Sequence, residues 1–167
     1  MFASRALVAL AVIAAASAGG WWLGEQRHDA APRARVIDVI DGDTIVVAFA
    51  DGSTDTIRLL GVDTPETHHP TKPVECYGPE AAAYTARRLG GRLVRLEGDV
   101  EARDVYGRRL AYVLVSGRRF NDELLRRGYA RLLVIAPNRR HAHELLEAEL
   151  TARHERRGLW RRCDDVA

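Results

Sequence analysis

The chain of 167 residues is short of several things at once. It has one methionine and a single lysine, Lys72, so nearly all of its positive charge is arginine. Its charge excess is only +2, from 25 Lys plus Arg against 23 Asp plus Glu. Bulk attraction to a polyanion is therefore weak, and any anion site must be local. Arginine suits a local site because its guanidinium grips phosphate or carboxylate through paired hydrogen bonds. Internal repeats and low-complexity tracts are missing, and a composition of 47% apolar and 29% charged residues is that of a packed domain, which excludes disorder over most of the length. The length fits one such domain. There are two cysteines, and neither His68-His69 nor His141-x-His143 has a cysteine or HExxH context. Zinc needs three or four converging ligands, so those histidines read as loop and helix surface.

Residues 1–24 differ from the rest. Arg5 precedes an apolar run from Ala6 to Ala15, and Ala16-Ser17-Ala18 follows as an A-x-A cleavage site, which is the architecture of a signal peptide. Joined to Trp21, Trp22 and Leu23, the same run reads as an uncleaved anchor just long enough to span a bilayer. Both readings put the folded domain outside the cytoplasm. Residues 25–32 form a short tether, and the domain proper runs over 33–163. In an exported chain an even pair of cysteines usually means a bridge, so Cys76 and Cys163 are expected to be joined.

Along the domain, Val36, Val39 and Ile40 lead into Asp41-Gly42, and Thr44 to Phe49 is β-branched and apolar up to Asp51-Gly52. Asp-Gly pairs between apolar runs signal tight hairpins. Thr54 to Val62 reads as a third strand and the proline-rich Thr64 to Pro73 as a loop. Gly78-Pro79-Glu80 opens a helix that Gly90-Gly91 ends. Leu93–Leu96 and Leu110–Val115 are two more strands. Asn121 is expected to cap a short helix closed by Gly128, and Asn138 to begin a longer one reaching Gly158. Three strands, a helix, two strands and two helices predict an α+β domain built on a small closed or nearly closed sheet rather than a doubly wound one.

Two segments gather acids where a core has no use for them: Ile40-Asp41-Gly42-Asp43-Thr44 and Arg58-Leu59-Leu60-Gly61-Val62-Asp63-Thr64-Pro65-Glu66. A hairpin brings Asp43, Asp63 and Glu66 to one end of the sheet, where the three carboxylates repel. A hard cation relieves that repulsion, and calcium takes about 6–8 oxygens, so two carboxylates and a backbone carbonyl leave room for waters and a phosphate. Arg58, five residues before Asp63, and Arg108, after Tyr106-Gly107, can grip phosphate oxygens. A metal, a carboxylate and two guanidiniums are the parts that phosphodiester hydrolysis requires. Taken alone, Asp41 and Asp43 would be turn chemistry.

These segments, with Tyr77-Gly78-Pro79-Glu80-Ala81, Tyr106-Gly107-Arg108 and Leu110-Ala111-Tyr112, resemble the staphylococcal nuclease family from about Val36 to Trp160. The resemblance implies an OB-fold, a five-stranded β-barrel with about three helices, and calcium-dependent endonuclease action on DNA and RNA that leaves 3′-phosphates. By matching position, it implies that Asp43, Asp63 and the backbone of Thr64 hold calcium. It further implies that Glu66 acts as general base, that Arg58 and Arg108 stabilise the transition state, and that Asp41 stands nearby as a supporting carboxylate. Lys72 and Tyr106 match positions near the nucleotide pocket. Where the staphylococcal enzyme carries a tyrosine pair ahead of its Pro-Asn turn, this chain has Leu133 and Ile135, which removes aromatic stacking worth about 1–3 kcal/mol per base. No obligate protein partner is expected.

Arginine doublets recur at Arg87-Arg88, Arg118-Arg119, Arg126-Arg127, Arg139-Arg140, Arg156-Arg157 and Arg161-Arg162. They could line a nucleic-acid groove, but most read as solvated helix faces, with Glu144, Glu147, Glu149 and Glu155 as near-sequence partners. Trp160 reads as a plug for the core. The alternative function is a barrel that binds nucleic acid without cutting it; a repulsive acid cluster kept beside two arginines argues against it.

Overall fold

The computed structural model describes residues 31–67 and 73–163. In chain order they form β1 (Arg33–Val39), β2 (Thr44–Ala48), β3 (Thr54–Leu59), β4 (Gly61–Asp63), α1 (Gly78–Leu89), β5 (Leu93–Glu97), β6 (Arg109–Val115), β7 (Arg118–Arg119), α2 (Phe120–Arg126), β8 (Arg131–Leu133), α3 (Ala142–His154) and α4 (Leu159–Arg162). The export segment, Lys72 and the pair His68-His69 lie outside the described residues.

Five strands close on themselves as an OB-fold. The order β3-β2-β1-β5-β6 is antiparallel throughout, and β3 then pairs in parallel with β6, Arg58 beside Leu110. One strand must serve two neighbours, and β1 does so by bulging: its register against β2 slips between Val36 and Asp38, while Arg33–Arg35 pair with β5. A bulge adds twist and bend, which a barrel this small needs. Alternate residues point inward, so Val36, Ile45, Val47, Ile57, Leu59, Val94 and Leu96 fill the interior, and α2 and α3 add Leu124, Leu125 and Leu145.

The expected third strand is divided. After Leu59 the chain leaves the barrel, and β4 pairs instead with β8, Asp63 opposite Arg131. That small sheet is tied to α3 by the buried Glu149, whose Oε1 accepts the Leu132 N–H at 3.0 Å. Two expected caps are corrected. Asn121 lies inside α2, because the extended β7 runs straight into the helix and Arg119 occupies the capping position. Its fully buried amide joins β6 to the β3–β4 break, accepting from Val113 N at 2.9 Å and donating to Leu60 O at 2.7 Å. Asn138 begins no helix; its side chain holds the Glu101 backbone, and α3 starts only at Ala142. Trp160 is half-buried, with the Arg153 guanidinium 4.1 Å from its ring centroid.

Cys76 and Cys163 form a disulfide with Cα atoms 5.9 Å apart and a sequence separation of 87. Closing a loop of that length stabilises the fold by about 4.5 kcal/mol in the chain-entropy model.

Candidate active site

Both acidic segments converge on one end of the barrel, and α1 holds them there. The Thr85 hydroxyl, fully buried, donates to Gly42 O at 2.7 Å and so fixes the turn carrying Asp41 and Asp43. At its other end, α1 starts with Gly78 packed directly on the backbone carbonyls of Pro65 and Glu66; a Cβ there would lie 2.9 Å and 3.0 Å from them. The two segments also meet each other. A Cβ on Gly42 would fall within 2.6–2.8 Å of the Thr64 side chain, so only glycine allows this approach.

Asp43 is the hub. Its Oδ2 accepts the Thr64 backbone N–H at 2.8 Å and the Thr64 hydroxyl at 3.1 Å, while Oδ1 accepts the Thr44 hydroxyl at 3.1 Å. Arg58 Nη2 stands between the two aspartates, 3.3 Å from Asp43 Oδ2 and 3.1 Å from Asp63 Oδ1. Its other terminal nitrogen donates to the carbonyls of Leu59 and Val62 at 2.9 Å and 2.7 Å. The guanidinium is therefore held by four oxygens and only 14% exposed, whereas Asp63 is half open to solvent. Such charge-assisted bonds fix geometry as well as adding energy.

Negative charge at this end exceeds what Arg58 answers. Burial, with the Asp43 carboxylate next to it and Glu66 beyond, pushes the Asp41 carboxyl up to about 6. Burial raises Asp63 as well, against the pull of Arg58. Asp41 nevertheless does turn chemistry too, since its Oδ1 accepts the Asp43 N–H at 3.0 Å. Glu66 sits on the loop behind, its Oε1 accepting from Thr67 N at 2.9 Å.

Calcium fits the donor chemistry here: hard carboxylate oxygens on Asp43 and Asp63, a backbone carbonyl at Thr64, and a buried surplus of negative charge that a divalent ion would neutralise. Among the described residues no three His, Cys, Asp or Glu side chains converge as a ligand set, so this site would fill its coordination with waters and substrate.

The structure joins Asp41, Asp43, Arg58, Asp63 and Thr64 through hydrogen bonds and ion pairs, and Glu66 acts on this group through its charge on Asp41. Among the described residues it shows no hydrogen bond or ion pair between Arg108 and any of them. Arg108 lies just ahead of β6, its Nε paired with Asp104 at 2.7 Å and its guanidinium carbon 5.5 Å from the centre of the Tyr106 ring. Asp104 also accepts the backbone N–H of Tyr106 and of Arg108, and despite partial burial these contacts hold it below the usual carboxylate range. Tyr106 is 82% exposed. Leu133 and Ile135 are both exposed, leaving an aliphatic surface where the resemblance has tyrosines.

Two residues escaped the sequence reading. Glu75 Oε2 accepts the Glu66 backbone N–H at 3.2 Å, and Glu75 N donates to Glu66 O at 2.9 Å, so this acid braces the loop. Arg131 pulls Asp63 toward its charged form from the neighbouring strand β8. Neither lies in an acidic or glycine-marked segment; their roles follow from pairings across many residues.

The model of the family "Staphylococcal nuclease homologue" matches residues 56–162. A thermonuclease of Staphylococcus hyicus is 43% identical over 126 residues, covering 75% of this chain and 74% of its own. A thermonuclease of Staphylococcus intermedius is 42% identical over 124 residues, covering 74% and 73%. The endonuclease YncB of Bacillus subtilis is 39% identical over 123 residues, 72% of this chain and 58% of that protein.

Proposed function

The chain belongs to the staphylococcal nuclease homologue family and is a nuclease of that family, and from this premise we propose that it is a calcium-dependent endonuclease that cuts DNA and RNA to products bearing 3′-phosphates. The observation that supports the reading best is the seat around Arg58, where Asp43 from the β1–β2 turn and Asp63 from β4 share one fixed guanidinium at an end of the barrel where burial and neighbouring carboxylates raise Asp41.

Asp43, Asp63 and the Thr64 carbonyl would hold the ion. Calcium, when bound, would supply charge neutralisation at the phosphate and a more acidic water. Glu66 accepts the proton of the attacking water. As that water's oxygen bonds to phosphorus, the bond to the 5′-oxygen breaks, the 5′-oxygen leaves with the bonding pair and takes up a proton from solvent, and the phosphate stays on the 3′ side. Arg58, immobilised by two carbonyls, meets charge developing on the phosphoryl oxygens without reorganising, which is how preorganised donors lower a barrier. Arg108 does the same toward the departing oxygen through its terminal nitrogens, its Nε being held by Asp104. Tyr106 and Lys72, by their matching positions in the family, would serve the nucleotide pocket. Residues 33–163 are the working domain, and residues 1–24 export it as a cleaved signal or keep it as an anchor, so that cutting takes place outside the cytoplasm.

Digestion of DNA and RNA with calcium, and with a chelator in its place, tests this beside Glu66→Gln and Arg108→Ala. The expected result is calcium-dependent cutting that falls by orders of magnitude in both variants. Unchanged cutting in either removes that residue from the mechanism, and cutting insensitive to chelator removes the metal.

A further inference from the structure

The arginine doublets that read as solvated faces collect in one place. A groove of about 1180 Å³ on the helical side is lined by nine arginines and three carboxylates, in a chain whose whole excess is +2. The positive charge that the composition lacks in bulk is thus concentrated here. The arginines come from α1, β7, the end of α2, the α3–α4 turn and α4, segments far apart in sequence. Their own acids answer fewer than half of them. Arg88 and Arg127 pair with Glu123, Arg119 with Asp122 and Arg157 with Glu155, but among the described residues no ion pair engages Arg118, Arg126, Arg156, Arg161 or Arg162. The acids of α3 expected to serve them serve others: Glu147 faces His143, and Glu149 faces Arg153.

The groove is built rather than incidental. Its two arginine-bearing turns are pressed backbone to backbone: Leu159 N donates to Gly128 O at 2.9 Å, Arg157 Nη1 donates to Arg126 O at 3.1 Å, and a Cβ on either Gly128 or Gly158 would strike the opposite backbone at 2.1–2.2 Å. Arg156 takes a φ of 51°, a left-handed conformation that a non-glycine residue adopts only when its surroundings impose it. Aromatic rings run beneath. Tyr77, Tyr129 and Tyr84 stack in succession, with centroids 5.5 Å and 4.2 Å apart. Tyr77 also marks where the groove meets the candidate active site, since the next residue, Gly78, packs on the carbonyls of Pro65 and Glu66.

A cationic groove that follows the phosphate backbone is what proteins use to track a single strand without reading its sequence. We propose that this groove is a second nucleic-acid contact surface, which holds the phosphates of a single DNA or RNA strand beyond the position of cutting. The proposal rests on the nuclease reading for the strand's path through the active site, but strand binding is measurable without turnover.

The test uses Arg126→Ala/Arg156→Ala/Arg162→Ala in the full chain, with the matching triple lysine variant as control. Fluorescence anisotropy with a labelled single-stranded oligodeoxynucleotide, in chelator, is expected to give a Kd raised about tenfold in the alanine variant, with most of the affinity restored by lysine. The slope of log K against log salt falls by about 2, the value for three lost phosphate contacts at about 0.7 each on a single strand. Melting temperature stays unchanged, and so does cleavage of a nitrophenyl-ester dinucleotide too short to enter the groove, while KM for a long strand rises. An unchanged Kd and slope overturn the proposal, as does a parallel loss on the dinucleotide, which would place the effect in the active site. Vesicles of phosphatidylglycerol and phosphatidylcholine form the second arm: binding to vesicles lost in the alanine variant with oligonucleotide binding intact assigns the groove to an anionic membrane instead. A wild-type protein that binds the strand in the groove yet cuts nothing sinks the nuclease mechanism and leaves the groove standing.

Discussion

At the acidic end of the barrel one guanidinium, that of Arg58, is shared by two aspartates and two carbonyls. In the groove lined by the helices the ratio is inverted, with nine arginines against three carboxylates. The same residue type thus does two kinds of work. Held by four oxygens of its own protein, arginine is a rigid part whose position is settled before a substrate arrives; left unpaired, it is a reservoir of positive charge available to a partner. The first arrangement suits catalysis, where preorganisation lowers the barrier, and the second suits capture, where counterion release supplies affinity.

Variants can break this division. The largest expected effect is at the acidic end: Glu66→Gln should lower the cleavage rate by about 10²–10⁴, the usual worth of a general base, while strand affinity measured by anisotropy stays at the wild-type value. Equal loss of rate and affinity would merge the two regions into one. Arg58→Ala should cost about 10²–10³ in rate and, by leaving the buried Asp43 without its cation, about 2 kcal/mol in stability, a figure reduced for the solvent reaching Asp63. Chemical denaturation reads the second number; no change in midpoint would mean that Arg58 is not a structural part. Gly42→Ala drives a methyl into Thr64 and should destabilise by about 1–3 kcal/mol while raising the calcium concentration needed for half-maximal cutting. A melting curve and a calcium titration together check it.

The smallest effect belongs to the groove. Glu123 is hydrogen-bonded by Arg88 and by the Tyr84 hydroxyl, and chiefly through Arg88 its carboxyl is held below its ordinary value of 4.5. A carboxyl lowered by folding stabilises the native state above its unfolded pKa, and that stability is lost as pH falls through the folded value. The wild type should therefore melt above Glu123→Gln at neutral pH, and the gap should close as pH is lowered below 4.5. A gap independent of pH would assign the loss to packing.

How far the sequence reveals this molecule depends on how local each signal is. The β2–β3 hairpin was legible because Asp51-Gly52 is a turn in itself, with the Asp51 carboxylate accepting from Ser53 N and Oγ. The acid cluster was legible because aspartate and glutamate crowd two short segments. The exit of the chain at Leu60 and the β4–β8 pair were not, since an apolar run such as Leu59-Leu60 looks the same whether it stays in a barrel or leaves it. Asn121 and Asn138 misled for the same reason: asparagine near a helix start usually caps it, but both amides are consumed by backbone groups far along the chain. Glu75 and Arg131 act only across folded contacts. The arginine doublets were visible one by one, and their convergence belongs to tertiary structure alone.

Helix α1 has a last consequence. Because Thr85 grips the Asp41–Asp43 turn and Gly78 rests on the Pro65–Glu66 carbonyls, the helix acts as a spacer whose length sets the gap between the two halves of the acid cluster. Its start is also where Tyr77 enters the groove, and Cys76, one residue earlier, is bound to Cys163. Reduction of that bond would therefore reach both regions through one mechanical part, and the two activities should fade together along a reductant titration while the barrel itself stays closed.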